Sequence, residues 1–235
     1  MSTLKRVAPA LLLPILLLGA GCSRASLFTN SDSQLTITPV PVVEEVVEIE
    51  TEVLVDGTYT LDAPASAIVW TGNKRVGATH TGLIEAQTGA VMIEGGTVTG
   101  GTMVVDMSTI IDTDLTDTER NAQLVGHLKS DDWFAVATYP TATFALEETR
   151  AVVGSADATH EVTGTMTIKG IEQEITFPAT FVSVENGVEL TGVVILDRSL
   201  FDVRYGSDTF FDNLGDELIE DEFTLTLDLL FVVAE

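Results

Sequence analysis

The chain has 235 residues, enough for one substantial domain with appendages, and is 45% hydrophobic but only 6% aromatic, so any core is mostly aliphatic. Eleven Lys and Arg against 36 Asp and Glu give a net charge of −25, which argues against nucleic acid or an anionic lipid surface as a direct electrostatic partner. The single cysteine excludes an internal disulfide and a zinc site built on paired cysteines.

Residues 1–21 read as a secretory signal. Lys5 and Arg6 form the charged start, Val7 to Leu18 is a short apolar run, and Gly19-Ala20-Gly21 leads into Cys22. The run is too short to span a bilayer. Small residues ending at the lone cysteine resemble a bacterial lipobox, although Gly19 stands where a leucine is usual and Leu18 comes one place earlier. Ser23 resembles the residue after the cysteine in lipoproteins sorted to an outer membrane. The expectation is cleavage before Cys22, acylation of its side chain and anchoring on the envelope side of a bacterial membrane. The competing reading is an ordinary cleaved signal with an incidental cysteine. Processing removes two basic and no acidic side chains, so the remaining chain is more acidic still.

Residues 22–56 change character. Ser, Thr, Pro and Val dominate before VVEEVVEIETEV, where glutamates are spaced through valines without helical or strand periodicity. This reads as an acidic tether that self-repulsion extends. The alternative is an edge strand over 45–55.

From Gly57 to the end, residues 57–235, the pattern is β. Tyr59 to Asp62, Ala67 to Thr71, Gly82 to Ile93 and Val98 to Met107 are the first strands, with Gly95-Gly96 and Gly100-Gly101 suited to tight turns or bulges. Residues 112–144 interrupt them. Thr116 and Glu119 form a capping box, Leu124 and Leu128 share a helical face, and Ser130-Asp131-Asp132 can cap a second turn carrying Trp133 and Phe134. An amphipathic plug between strands suggests a lid on a β structure, and a plain packing helix is the equal alternative. Strands resume at Thr141 to Glu148 and Thr163 to Ile168. Ile175, Phe177, Ala179 and Phe181 then line one face, with Pro178 marking an edge position or a bulge. Val188 to Leu196 follows, and Phe223, Leu225, Leu227, Leu229 and Phe231 close the chain at period two. About eight antiparallel strands with one helical interruption predict an all-β barrel or sandwich. The long, one-sidedly apolar last strand favours a closed barrel, because an open edge there invites aggregation.

The chemistry is sparse. His80, His127 and His160 show no ligand spacing, and neither DTDLTD at 112–117 nor DNLGDELIEDE at 212–222 has the Gly and closing Glu of an EF-hand, so no metal and no cofactor are expected. No nucleophile elbow, Cys–His pair or phosphate loop is present in the sequence. A binder is favoured over an enzyme.

Four stretches, in order, resemble the YceI-like family: WTGNKRVGATHTGLIEAQTGAV (70–91), GHLKSDDWFAVATYPTATF (126–144), VTGTMTIKGIEQEITFPATF (162–181) and LDRSLFDVRYGSDTFFDNLGDELIEDEFTLTLDL (196–229). Trp133 and Asp202 depart from the family's usual Phe and small residue. The resemblance implies an extended lipocalin-like antiparallel barrel whose tunnel holds a polyisoprenoid or similar long-chain amphiphile, and a link to the periplasm and envelope stress. On that basis the tunnel residues are Trp70, Trp133, Phe134, Phe144, Met166, Ile168, Phe177 and Phe181. The polar mouth is His80, His127, Lys129, Arg198 and Arg204, with His127 and Arg198 the candidates for the head group. For each, ordinary packing or solvation is the plainer reading. A tethered interaction barrel with a filled core and no ligand is the rival function, and assembly as a homodimer is left open.

Overall fold

The computed structural model describes residues 53–155 and 158–234. The expected signal peptide, Cys22 and nearly all of the tether lie outside the described residues, and 53–55, the last of the alternative edge strand, carry no strand. Nine strands and one α-helix follow among the described residues: β1 Gly57–Leu61, β2 Ala67–Lys74, β3 Thr79–Glu94, β4 Thr97–Asp112, α1 Thr118–Lys129, β5 Thr141–Ala151, β6 His160–Ile168, β7 Ile171–Val184, β8 Gly187–Asp197 and β9 Ile219–Val233.

All neighbours pair antiparallel, and the sheet closes into a barrel through β3–β4 and β2–β9. Nine strands fill eight positions in the ring. β1 pairs with the far part of β3 and the end of β9, while β2 pairs with the near part of β3 and the first part of β9. The two are one stave broken at Ala63–Ala65, a 3₁₀ turn with Pro64, whose missing N–H ends the ladder. Closure leaves the long β9 paired along both sides, as its apolar period-two face requires.

Local sequence accounts for the joints. Gly95 and Gly96 take φ of +60° and +74° in a two-residue hairpin, a backbone that suits glycine. Gly100 and Gly101 instead sit inside β4, beside an irregularity where Met92 faces Gly100 and Ile93 faces Val98. Pro178 is opposite Glu161 in an unshifted β6–β7 ladder and just precedes Ala179, where β8 begins to pair, so it occupies an edge position. The cap of α1 is one residue later than the capping box predicts. Asp117 Oδ1 accepts from the N–H groups of Glu119 and Arg120, both at 3.0 Å, because a carboxylate directly before the first turn reaches both orphan donors. Ser130 closes α1, its hydroxyl donating to His127 O at 2.7 Å, and also starts the expected second turn, its carbonyl accepting from Trp133 N at 3.1 Å and Ala135 N at 2.8 Å. Trp133 and Phe134 follow on the hydrogen-bonded turn after it.

The inside of the barrel is unevenly filled. At the end where β1, the β3–β4 hairpin and the close of β9 meet, Tyr59, Val91, Ile93, Val188, Leu229 and Phe231 are buried in the core and lie outside the lining of the barrel cavity. At the other end α1 and the turn after it lie against the barrel, and the inward side chains leave space.

One glycine inside β3 is dictated by an aromatic ring. Trp70 on β2 stands opposite Gly82, and its indole N–H donates to Ile111 O at 3.0 Å across the strand. A Cβ at position 82 would strike that carbonyl and come within 2.7 Å of the indole ring. Gly126, exposed in α1, has nothing within 4 Å of such a Cβ. Gly82→Ala should therefore cost about 1–3 kcal/mol by overpacking, whereas Gly126→Ala should add about 0.5–1 kcal/mol from helix propensity. Urea unfolding of the two variants checks this, and shifts of the same sign would contradict the placement of Trp70.

Candidate ligand cavity under the helical plug

A cavity of about 310 Å³ occupies the unfilled end. Its wall is built by strand alternation: Ile68 and Trp70 on β2, Ile84 on β3, Met103, Val105 and Met107 on β4, Phe144 on β5, Met166 on β6 and Phe177 on β7 all face inward. Leu124, His127 and Leu128 of α1 close it from above, with Trp133 and Phe134 from the following turn. Exposed Asn73, Ala78 and Glu217 also line it, so it opens between the β2–β3 connection and the segment leading into β9.

Of the predicted tunnel residues, Trp70, Trp133, Phe134, Phe144, Met166, Ile168 and Phe177 line this cavity and Phe181 does not. Phe181 shares an inward face with Phe177 but lies four residues, roughly 13 Å, further along the strand. That carries it into the filled end, edge-on to His160 at 5.3 Å between ring centroids. The inward side chains of β4 show period two in the sequence as well, and Met103, Val105 and Met107 could have been found by that signal.

The predicted polar mouth divides more sharply. His80, His127 and Arg198 line the cavity, whereas Lys129 and Arg204 do not. Lys129 Nζ donates to Ser108 O at 2.7 Å on the outside. Arg204 pairs with Asp202 and lies over Phe210, at a second groove of about 500 Å³ that shares Tyr205 and Glu217 with the cavity. His127 stands edge-on to Tyr205 at 4.3 Å, and Trp133 and Phe134 extend the aromatic rim to Phe223. Lys74, absent from the sequence candidates, lines the opening and pairs with Glu217 at 3.5 Å.

Arg198 is not a free head-group ligand. It is 1% exposed, and its guanidinium donates to the carbonyls of Glu220 at 3.2 Å, Val203 at 2.9 Å and Ile219 at 3.0 Å. Asp221 Oδ1 forms an ion pair with it at 3.1 Å, without hydrogen-bond alignment, and the guanidinium stacks over Trp133 at 4.9 Å. Burial lowers its pKa from the ordinary arginine value while Asp221, Asp197 and Asp208 oppose the shift, and arginine stays charged. Three of its five N–H donors are taken by backbone carbonyls and Nη2 also faces Asp221, so what the structure shows of it toward the cavity is chiefly its stacking on Trp133.

One polar cluster has no signal in local spacing. His80, at the start of β3, meets Asp112 and Asp114 at the end of β4, and one donor atom from each lies within 4.8 Å of the others. Among the described residues this is the one group of three such side chains that could hold a metal ion. Burial, and then the neighbouring Asp114 carboxylate, push the Asp112 carboxyl above its ordinary pKa. Burial acts the same way on Asp114, but the Thr81 N–H, Asp112 and His80 outweigh it and the net shift is downward.

A closed antiparallel barrel with one end packed and an apolar cavity under a helical plug is a lipocalin-like architecture. The chain belongs to the YceI-like domain family, whose model matches residues 59–231. Its structure is similar to Burkholderia cenocepacia BcnA, at 26% identity and a TM-score of 0.55 over 72% of this chain and 98% of that one. It is also similar to a polyisoprenoid binding domain from Saccharophagus degradans implicated in plant cell wall breakdown, at 16% identity and a TM-score of 0.54 over 75% and 98% of the two chains. At that identity the second likeness speaks for the fold. A search of curated proteins gave no match.

If Arg198 is committed as described, Arg198→Met should strand three carbonyls and Asp221, costing about 3–5 kcal/mol. Arg198→Lys should recover little of it, since one ammonium cannot span the fork. Chemical denaturation of both variants tests this, and a Lys variant as stable as the parent would show that only the charge matters.

Proposed function

We propose that this chain is an envelope-located carrier that holds the tail of a polyisoprenoid or similar long-chain amphiphile in the barrel cavity. The observation that carries the reading is the half-filled barrel: a mostly apolar cavity of about 310 Å³ beneath a plug that packs its aromatic side chains inward. Membership of the YceI-like family, and the polyisoprenoid-binding function named for the Saccharophagus degradans relative, support it. The volume is near the lower end of the roughly 300–1,000 Å³ common for small-molecule sites. A few isoprene units fit as the cavity stands, and a longer tail enters from the open side or lifts α1.

Each methylene taken out of water contributes up to about 0.8 kcal/mol, so the tail supplies affinity and the rim supplies orientation. With Arg198 committed, His127 and Tyr205 at the aromatic rim and His80 in the cavity wall remain for the polar end. No step of the reading needs catalysis, so the protein acts as a binder, with a part in envelope stress an extension of that role.

Met166 is 6% exposed and stands in the cavity wall opposite Phe144. Met166→Trp should narrow the cavity, lowering uptake of a fluorescent farnesyl or geranylgeranyl probe at least about tenfold, the equivalent of about 1.4 kcal/mol, with near-normal melting. Solvent extraction of the parent protein followed by mass spectrometry should release a co-purified lipid. An extract without lipid, together with a Met166→Trp variant destabilised by about 1–3 kcal/mol, would favour the filled interaction barrel.

The envelope location rests on the small-residue run ending at Cys22 and on the anchoring strength of acyl chains. Cys22→Ser should shift the protein from the membrane to the soluble fraction on ultracentrifugation. Retention in the membrane would overturn the lipoprotein reading.

A further inference from the structure

We infer that His80, Asp112 and Asp114 form a binding site for one divalent transition-metal ion, of which zinc is the natural probe. The three residues come from two strands and a loop brought together across the β3–β4 ladder. Asp112 ends β4, Asp114 follows in the connection to α1, and His80 lies in the first turn-proximal part of β3. Each carboxylate has one oxygen held by the scaffold and one turned to the others. Asp112 Oδ1 accepts from Leu115 N at 2.9 Å and from Asn121 Nδ2 of α1 at 3.0 Å. Asp114 Oδ1 accepts from Thr81 N at 2.8 Å. The free oxygens face His80 Nδ1, Asp114 Oδ2 at 3.1 Å and Asp112 Oδ2 at 3.9 Å.

The second, independent sign is Asp112 itself. Its side chain is fully buried, at 0% exposure, and Oδ2 has no hydrogen-bond partner. Burial favours the neutral form of this carboxyl, and ionising it where it stands would be costly unless a cation answers it. No lysine or arginine pairs with Asp112 or Asp114 among the described residues. A protonated His80 supplies one charge for two carboxylates, whereas a divalent ion with neutral imidazole balances both.

The donor set chooses the ion. One imidazole nitrogen with two carboxylate oxygens suits zinc, manganese or ferrous iron, while calcium and magnesium take all-oxygen shells. Ligands about 2.0–2.2 Å from a tetrahedral ion stand roughly 3.4 Å apart, between the two observed gaps, so small side-chain movements complete the site. Three protein ligands leave a position for water. Because His80 also lines the cavity and Asn121 belongs to α1, the ion would stand beside the cavity wall and tie the root of the plug to β3.

The test uses the full chain, stripped with chelator, dialysed and titrated with Zn²⁺ by calorimetry, with Co²⁺ absorption reporting the coordination geometry. The expected result is one equivalent bound, with a rise in melting temperature. His80→Ala and the more exposed Asp114→Asn should each weaken binding by about 100-fold, the upper end of what even outer-shell changes cost. His160→Asn should leave it unchanged, and circular dichroism identifies any variant that fails to fold. If the His80 variant fails to fold, Asp114→Asn decides alone. Failure of the parent chain to bind zinc at one equivalent would overturn the site. So would affinity unchanged in the folded variants, which would mark diffuse binding to an acidic surface.

Discussion

A guanidinium almost wholly out of water has to be answered by protein, and the open half of the barrel is arranged around that demand. Arg198 follows β8, and its planar fork collects the carbonyls of Val203, Ile219 and Glu220 together with the Asp221 carboxylate. Those groups belong to the connection after β8 and the first residues of β9, so one side chain fixes how the last strand enters the barrel. Its other face carries Trp133 of the plug turn. The cost of stranding any partner of a buried charge exceeds the net gain of the pair, which makes this arrangement a determinant of geometry more than of overall stability. The cavity inherits its wall from it.

Volume is the second constraint. An eight-stranded barrel is just wide enough for packed side chains or one small ligand, and this chain packs one end and leaves a cavity at the other. Large inward residues such as Tyr59, Phe181 and Phe231 fill the end away from the plug. Toward the plug, small residues such as Gly72 and Ala142 stand among longer side chains and leave about 310 Å³. Eight positions closed through the β3–β4 pairing set the circumference of the ring, which resists removal of the space by collapse.

Charge then decides what the opening can recognise. Cations are scarce in a chain of net charge −25, and several near the cavity are already paired: Lys74 with Glu217, and Arg75 with Asp208 and Glu220. Exposed pairs of this kind add little stability, and among the described residues the lysine and arginine that line the cavity, Lys74 and Arg198, are both engaged. An amphiphile held by its tail, with a weakly polar end among His127 and Tyr205, is compatible with such a rim. Among the described residues, Asp112 beside His80 and Asp114 is a buried carboxyl with one oxygen that has no hydrogen-bond partner and no lysine or arginine paired with it.

The sequence by itself determined the class of the fold. Period-two apolar residues from Phe223 to Phe231 and from Ile175 to Phe181 state which face of each strand turns inward, and the polar interruption near residues 116–134 states that a helix breaks the strands. These are local properties of spacing and propensity, legible without neighbours. Small displacements were not: a hydroxyl at Thr116 and a carboxylate at Asp117 are both good caps, and only the course of the chain out of β4 chose Asp117. Periodicity also cannot say how far along the barrel a residue lies. Phe177 and Phe181 share a face, yet register and closure put one in the cavity and the other in the packed end. Nor can it distinguish a cation that waits for a ligand from one whose donors are taken, as at Arg198. The meeting of His80 with Asp112 and Asp114 depends on the β3–β4 ladder, which joins residues more than thirty apart. Facing is encoded residue by residue, whereas depth, partnership and convergence exist only once the strands have paired and the ring has closed.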